Sequence, residues 1–302
     1  MGLGPFWSGE YMKKLWTYGL ILAGMLMMLS GCAGEPDNGR TEVFGSAAEV
    51  PGESESVLRM AFLDTGKSDC IIIEAGEYVV VNDTADADDG EMILAYLKDR
   101  QVERIEYLIL SHFDKDHIGS AAALLSEYEV GCVLMPDHEE DSEPYLALAE
   151  ALDRTGTEQL RLTKDYGFTL GDIEFTVDAP DEDTYEDDNN YSLITAVTCG
   201  ETRFLLMGDA LKKRTGEFMT SAIGEERYDL IKMPHHGDYN KKLAELFQIT
   251  RPGHVVLTAG KERERVEDKT IELLIKSGCR VYYTDEGTVT VLSDGSTVTV
   301  IQ

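Results

Sequence analysis

The chain has 302 residues, of which 57 are acidic and 27 basic, so its formal net charge is −30. A chain of this length can bury a substantial core in one large domain or two small ones. An acidic excess of this size repels polyanions. It therefore disfavours unassisted binding to long nucleic acid or anionic lipid, without excluding a local positive spot.

The first segment has the layout of a secretory signal. Met12-Lys13-Lys14 is a short basic region, and the apolar stretch 15–29 is too short for a typical membrane span. It ends in Leu29-Ser30-Gly31-Cys32, which resembles the lipobox of bacterial lipoproteins. We predict a signal peptide over residues 1–32, with 1–11 upstream of the true start, and a lipid on Cys32 that holds the protein on the outer face of the cytoplasmic membrane. The alternative is an ordinary signal or anchor helix with a chance cysteine.

Residues 33–55 are rich in Gly, Ser, Pro and acidic residues, which predicts a flexible tether and leaves 56–302 as the folded domain. Four cysteines in that domain form no Cys-x-x-Cys pair, and each lies in or beside an apolar run. We therefore expect buried free thiols at Cys70, Cys132, Cys199 and Cys279.

The folded part alternates strand and helix patterns. Strands are predicted at 57–63, 70–75, 78–82, 105–110, 132–135, 168–170, 173–177, 192–198, 203–207, 230–233, 254–258, 280–284, 288–292 and 297–301. Helices are predicted at 91–100, 119–128, 143–154, 210–220, 241–249 and 268–277. The acidic stretch 178–190 predicts a surface loop near the site. Two face-to-face sheets with helices outside pack such elements economically.

Metal-competent side chains follow three of these strands. The strand 105–110 leads into Ser111-His112-Phe113-Asp114-Lys115-Asp116-His117, where two imidazoles and two carboxylates crowd into six residues. The other two strands end in Gly208-Asp209 and Pro234-His235-His236-Gly237. A divalent cation gathers such groups, and mixed nitrogen and oxygen ligands suit zinc, manganese or iron. For the first motif alone, the alternative is a solvated acidic loop.

These motifs resemble those of the metallo-β-lactamase superfamily, and more closely the extracytoplasmic hydrolase domain of ComEC-type competence proteins and their free-standing relatives. Two further segments carry the similarity, Phe62–Asp69 and Asn189–Leu193. The resemblance spans residue 56 to the C-terminus. It implies an α/β fold, the four-layered αββα metallo-β-lactamase sandwich.

The resemblance also implies two divalent metal ions, Zn²⁺ or Mn²⁺. Carried over residue by residue, the first site comprises His112 and Asp114, and the second comprises Asp116, His117 and His235. Asp209 is the expected bridge between them. Two such ions can hold a hydroxide and clamp the attacking and leaving oxygens of a substrate.

Catalytic and supporting roles follow from the same resemblance. We expect Asp116 and His236 to be catalytic, His236 either donating a proton to the leaving group or ligating in place of His235. Three residues are expected to support the ligands: Asp83, Asn190 and Ser192. Two residues of the first turn, Asp64 and Asp69, are interpreted as structural. No role is assigned to His138 or His254.

The sequence departs from the common superfamily pattern at three places. Asp114 stands where many relatives carry His, and no His occurs between His138 and His235, so the first site is oxygen-rich. That favours Mn²⁺ there or leaves one site partly empty. The His-Pro pair usual after strand 254–258 in ComEC-type domains is also absent. The basic stretch 261–265 lies there instead, either to bind an anionic group or as a solvated loop.

The sequence thus predicts a lipid-anchored metallo-hydrolase outside the cytoplasmic membrane that cleaves phosphodiester bonds through a metal-activated hydroxide. The expected substrates are small or wall-polymer phosphodiesters. The net charge disfavours long nucleic acid, and the only membrane contact expected is through the Cys32 lipid. One alternative is a β-lactamase or other acyl hydrolase on the same fold. The other is a non-catalytic, lipid-anchored binding protein with a structural or decayed metal site.

Overall fold

The strands of the chain form two sheets. The computed structural model describes residues 57–260 and 266–302, all within one compact unit. The first sheet has the order β15-β14-β1-β2-β3-β4-β5-β6 and the second has the order β13-β12-β11-β10-β9-β8-β7. The strands are β1 Leu58–Phe62, β2 Ile71–Ala75, β3 Tyr78–Asn82, β4 Arg104–Ile109, β5 Glu129–Pro136, β6 Glu158–Leu162, β7 Tyr166–Leu170, β8 Ile173–Asp178, β9 Ile194–Cys199, β10 Thr202–Leu206, β11 Leu230–Lys232, β12 His254–Leu257, β13 Arg280–Tyr283, β14 Val289–Ser293 and β15 Val298–Ile301.

Helices connect the parallel strands of each sheet. The described helices are α1 Gly90–Asp99, α2 Lys115–Ile118, α3 Ala121–Glu127, α4 Glu143–Thr155, α5 Lys212–Phe218, α6 Leu243–Thr250 and α7 Asp268–Ser277. Short 3₁₀ turns lie at Ala87–Asp89, Asp188–Tyr191, Pro234–Gly237 and Thr284–Glu286. Strands β3 to β6 run parallel, as do β10 to β13, and the remaining pairs are antiparallel.

Alternate residues of each central strand are buried on opposite faces. In β1, Met60 and Phe62 pack in the core between the sheets, whereas Ala61 packs beneath the helices α1, α3 and α4. In β10, Phe204 faces the same central core, whereas Leu205 packs against helices α5 to α7. Because side chains alternate across a strand, both sheets need apolar residues at nearly every position. The result is the predicted four-layered αββα sandwich, and the fold class is confirmed.

Two elements differ from the sequence expectation. Strand β6 was not predicted, because its sequence Glu-Gln-Leu-Arg-Leu is mostly polar. It lies at the edge of its sheet, where a strand has a neighbour on one side only and tolerates polar residues. The helix expected over 119–128 is preceded by the short helix α2, which begins inside the metal loop. Of the described cysteines, Cys70, Cys132 and Cys199 are buried and Cys279 is half-buried, and all four are free thiols.

Several predicted segments lie outside the described residues. They are the signal peptide with Cys32, the tether over 33–55, and the basic stretch 261–265. Within the described ranges, no helix combines the length and the apolar character that crossing a bilayer requires.

Candidate metal centre

Three loops at one edge of the sandwich bring the predicted ligands together. The first follows β4 and contains residues 112–117, the second follows β10 and contains Asp209, and the third follows β11 and contains His236. The first loop belongs to one sheet and the other two loops to the other sheet. A backbone hydrogen bond joins the second and third loops, from His235 N to Gly208 O at 3.2 Å. The cluster therefore forms only where the two sheets meet.

Two buried imidazoles face the carboxylate of Asp209. His117 Nε2 lies 3.3 Å from Asp209 Oδ1, and His236 Nε2 lies 3.2 Å from Asp209 Oδ2. Asp116 approaches the same place, with its Oδ2 3.3 Å from His236 Nε2. Each oxygen of Asp209 thus faces a different imidazole, which is the arrangement that a bridging carboxylate requires.

The other side of the cluster is formed by His112. It is fully buried, and donor atoms of His112, His117 and Asp209 lie within 4.8 Å of one another. Asp114 contacts this side through His112, with 3.5 Å between His112 Nε2 and Asp114 Oδ2. The Asp114 side chain is 48% exposed, so it lies at the mouth of the site.

The second ring nitrogen of each histidine is held by an orienting group. His117 Nδ1 donates to Asp83 Oδ2 at 3.0 Å, because a carboxylate can only accept. Asp83 also accepts hydrogen bonds from Ser111 N and Ser111 Oγ, at 2.7 and 2.8 Å. Nδ1 of His112 lies 3.0 Å from Ser111 Oγ. Fixing Nδ1 in this way leaves Nε2 as the candidate ligand atom, and Asp83 contacts both Ser111 and His117.

His236 is oriented by a different group. Its Nδ1 lies 3.0 Å from the hydroxyl oxygen of Thr258, at the end of β12. Asp69 Oδ1 is 3.5 Å from the same nitrogen, and Asp69 Oδ2 is 3.8 Å from His117 Nδ1. Asp69 therefore lies beside the Nδ1 atoms of both imidazoles, and donor atoms of Asp69, Asp209 and His236 lie within 4.8 Å of one another.

A buried lysine lies between the two buried carboxylates. Lys232 is the last residue of β11 and is fully buried. Its Nζ forms an ion pair with Asp69, lies 3.5 Å from Asp209 Oδ1 and donates to Gly208 O at 3.1 Å. Burial opposes the charge of Lys232, but Asp69 and then Asp209 outweigh it and raise the pKa of the ammonium. The cluster thus contains a permanent internal cation.

The backbone decides which of two adjacent histidines points inward. His235, His236 and Gly237 all have positive φ, at 48°, 51° and 100°. His236 is buried, whereas the His235 side chain is 26% exposed and its Nε2 lies 4.0 Å from Asp209 Oδ2. At Gly237, the φ of 100° favours glycine, and a Cβ would lie 2.3 Å from Leu257 Cδ2, so the leucine side chain would have to shift. Left-handed backbone in non-glycine residues is costly and occurs mostly at functional sites.

The protein side chains alone strongly polarise one another. Burial disfavours a charged His117, but Asp209 and Asp83 overcome it and raise the His117 pKa well above 6.5. The His236 pKa is likewise raised against burial, mainly by Asp209. Burial also works against ionisation of Asp209, yet His236, His117 and Lys232 hold its pKa well below the usual range. The raised pKa values favour the protonated imidazoles when no cation is bound, so cation binding should displace protons.

The predicted support from the loop before β9 differs between its two residues. Ser192 Oγ accepts from Asp209 N at 3.1 Å and donates to Asn189 O, so Ser192 fixes Asp209. The side-chain oxygen of Asn190 accepts instead from Arg214 N at 3.2 Å. Arg214 is fully buried, donates from Nε to Ser192 O at 2.8 Å and pairs with Asp178. Arg214 and Asp178, which lie outside the metal cluster, therefore anchor this loop.

Two residues of this cluster were not predicted from the sequence. Asp69 was interpreted as structural, and Lys232 was not singled out. A lysine inside the apolar run Leu230–Met233 was the available signal, because a charge in a buried parallel strand needs a buried partner. Asp64 is exposed, and His254 lies beside Tyr282, with 3.2 Å between Nδ1 and the hydroxyl.

The comparisons with known proteins agree with this geometry. The family model described as "Metallo-beta-lactamase superfamily" matches residues 63–260. The chain belongs to this superfamily. It is similar to ComE operon protein 3 of Bacillus subtilis (strain 168), with 27% identity over 204 residues that cover 66% of this chain and 26% of that protein. It is also similar to Recombination protein 2 of Haemophilus influenzae, with 26% identity over 213 residues that cover 69% of this chain and 25% of that protein.

The chain thus spans about a quarter of the length of these curated relatives, and the expected ComEC-type resemblance is confirmed. Among solved structures, that of the metallo-beta-lactamase fold protein YhfI from Bacillus subtilis shares the fold at a TM-score of 0.54. The two chains are 13% identical, and the match covers 81% of this chain and 100% of YhfI.

The donor set fits the divalent metal ions that the superfamily implies. Buried ligand atoms without a hydrogen-bond partner converge here: His112 Nε2, His117 Nε2, His236 Nε2 and Asp209 Oδ1. Unpaired buried polar atoms are costly and rare in folded proteins. Imidazole nitrogens and carboxylate oxygens at this spacing are ligands for zinc, manganese and iron. This superfamily member therefore has the groups that a divalent metal centre requires.

Proposed function

We propose that this chain is a metal-dependent hydrolase of phosphodiesters. The observation that carries the proposal is the convergence of the buried His117 and His236 Nε2 atoms on the carboxylate of Asp209, with a donor atom of His112 within 4.8 Å. The residues that would hold two divalent ions are His112, Asp114, Asp116, His117, Asp209 and His236. Such ions supply Lewis-acid chemistry, since they lower the pKa of water toward neutrality and neutralise charge on reacting oxygens.

The geometry favours an exchange of roles between the two adjacent histidines. His236, expected as a proton donor, is buried with Nε2 near Asp116 and Asp209, so we assign it as the ligand. His235, expected as a ligand, stands partly exposed at the mouth of the site, with Nδ1 3.6 Å from Asp238 Oδ2. Burial lowers the pKa of His235 and so disfavours its protonated form, which means that proton donation by this imidazole should weaken as the pH rises. We assign His235 Nε2 the transfer of a proton to the leaving oxygen.

The ligand pattern favours a phosphoryl substrate over a β-lactam. Asp114 stands where many relatives carry His, and the first site also lacks its usual third histidine, so its ligands are rich in oxygen and suit Mn²⁺. The net charge of −30 disfavours long DNA, so short phosphodiesters and wall-polymer substituents are the proposed substrates. One relative is named a recombination protein, which keeps nucleic acid among the substrates to be tested.

A substrate screen of the purified protein tests this function. The protein is chelated, reconstituted with Zn²⁺ or Mn²⁺, and assayed at low salt on bis(p-nitrophenyl) phosphate, a dinucleotide, plasmid DNA and a chromogenic β-lactam. We expect the small phosphodiesters to be cleaved best. Asp209→Asn should abolish cleavage, whereas Asp99→Asn, a matched change at an exposed position of α1, should retain both the metal and the cleavage rate.

The screen separates the proposal from its alternatives. Hydrolysis of the β-lactam alone would establish an acyl hydrolase. At low salt, electrostatic repulsion between the acidic protein and DNA is least screened. Cleavage of plasmid DNA under these conditions would show that the net charge does not prevent nuclease activity. Metal binding without hydrolysis of any substrate would support the non-catalytic alternative.

We further propose that a lipid on Cys32 anchors the protein on the outer face of the cytoplasmic membrane. The support is the Leu-Ser-Gly-Cys sequence that follows an apolar segment of signal-peptide length. Metabolic labelling with a palmitate analogue should tag the wild-type protein and the control Cys279→Ala equally. The tag should disappear in Cys32→Ala, and equal labelling of all three would refute the anchor.

A further inference from the structure

A second cluster of candidate ligands lies beside the metal centre. His138 and Glu140 belong to the loop after β5, and Asp188 belongs to the 3₁₀ turn that precedes β9. One donor atom of each of these residues lies within 4.8 Å of the others. His138 Nε2 is 3.6 Å from Glu140 Oε1. Two loops that are distant in the sequence thus point a nitrogen and two carboxylates at one place.

The imidazole of His138 is buried without a hydrogen-bond partner. Its side chain is only 9% exposed, and neither ring nitrogen has a partner among the described residues. The ring stacks on Tyr191, with centroids 3.9 Å apart and an interplanar angle of 11°, and it also contacts Phe113 at 4.6 Å. Aromatic contacts fix the plane of the ring, and its Nε2 faces Glu140. Packing alone gives no reason for a histidine here, since a phenyl ring would stack equally well without unpaired nitrogens.

The charges around the cluster favour a cation. Burial lowers the pKa of His138 to about 4, so at neutral pH the ring is uncharged and keeps a lone pair. Burial and then the carboxylate of Asp188 raise the pKa of Glu140. The ion pairs of the described residues include no lysine or arginine paired with Glu140 or Asp188. The nearby Arg161 is engaged by Glu139, by the hydroxyl of Tyr145 and by His138 O.

We propose that His138, Glu140 and Asp188 bind a divalent transition-metal ion at a site separate from the central cluster. One imidazole and two carboxylates are the mixed ligands that Zn²⁺ and Mn²⁺ accept, and two ionised carboxylates balance the charge of a divalent ion. The ion joins the loop after β5 to the turn at Asp188–Tyr191. That turn leads directly to Ser192, whose hydroxyl accepts from Asp209 N. This third site therefore holds in place one wall of the metal centre.

Metal stoichiometry of the full chain tests the proposal. The protein is dialysed against buffered Zn²⁺ and its metal is measured by elemental analysis, with thermal unfolding followed in parallel. Two variants remove the site: Glu140→Gln with Asp188→Asn, and His138→Phe, which keeps a stacking ring. The matched control is Asp141→Asn with Glu186→Gln, which changes the same charges at exposed neighbours in the same loops.

We expect each site variant to bind one equivalent of Zn²⁺ less than wild type and the control to bind the same number. His138→Phe should unfold at the wild-type temperature in chelator but gain less on adding Zn²⁺. Equal stoichiometry in wild type and both site variants would overturn the third site. The proposed function is tested independently, because Asp209→Ala should lose the central metal and activity while retaining this equivalent.

Discussion

Replacing Lys232 by methionine should destabilise the protein strongly when metal is absent. Methionine keeps the length of the side chain but removes the only buried ammonium among the described residues, leaving Asp69 and Asp209 as neighbouring buried carboxylates. At 3.5 Å from Asp209, a unit charge is worth about 5 kcal/mol at an effective dielectric constant of about 20. Desolvation offsets part of this, and breaking buried pairs costs about 3–5 kcal/mol in practice.

That loss is a large fraction of the total stability, which for proteins is about 5–15 kcal/mol. With a urea slope of about 3 kcal/mol per molar, the unfolding midpoint should fall by about 1–2 M. Because both tryptophans, Trp7 and Trp16, lie outside the described residues, unfolding is best followed by far-UV circular dichroism. The control Lys98→Met removes an exposed charge on α1 and should change the unfolding free energy by less than about 0.5 kcal/mol.

A double variant isolates the interaction. In Lys232→Met with Asp69→Asn, the uncompensated charge of Asp69 is gone, so part of the lost stability should return. Saturating Zn²⁺ should also narrow the gap between Lys232→Met and wild type, because the ions then neutralise Asp209. The reasoning is refuted if Lys232→Met unfolds like Lys98→Met in chelator, or if Asp69→Asn restores nothing.

Four more outcomes are expected. His236→Ala should lose bound metal, whereas His235→Ala should keep its metal and lose most of its hydrolysis rate, as measured by elemental analysis beside the assay. Asp209→Ala should lose both metal ions, and full metal occupancy in that variant would show that Asp209 does not bridge them. Asp114→His should shift the preference from Mn²⁺ toward Zn²⁺, and unchanged relative affinities would remove Asp114 from the ligands. In chelator, the raised pKa values of His117 and His236 stabilise the fold below about pH 6.5, and this contribution is lost as the pH rises through the raised values. Urea unfolding from pH 6 to 9 should therefore show a falling free energy of unfolding. Binding of Zn²⁺ should release protons, which calorimetry in different buffers measures.

The sandwich and the position of its site were predictable because both depend on local pattern. Apolar runs at strand length identify the central strands, and the ligand motifs follow the strands directly. The choice between His235 and His236 was not predictable, since it depends on three successive left-handed residues. The pairing of Lys232 with Asp69 joins β11 to a turn before β2, in the other sheet, and such contacts leave no periodic signal. Strand β6 was missed because polar edge strands lack the apolar pattern.

Because the candidate ligands lie on two different sheets, metal binding depends on the packing of one sheet against the other. His112 and His117 follow β4, whereas Asp209 and His236 follow strands of the other sheet. Neither half of the chain alone has a complete site, so an ion binds the docked state in preference to any separated one. By mass action, free ion at about one hundred times its dissociation constant adds about 2.7 kcal/mol to the docked state. Thermal stability should consequently follow free metal concentration, and proteolysis in chelator should start where the sheets part.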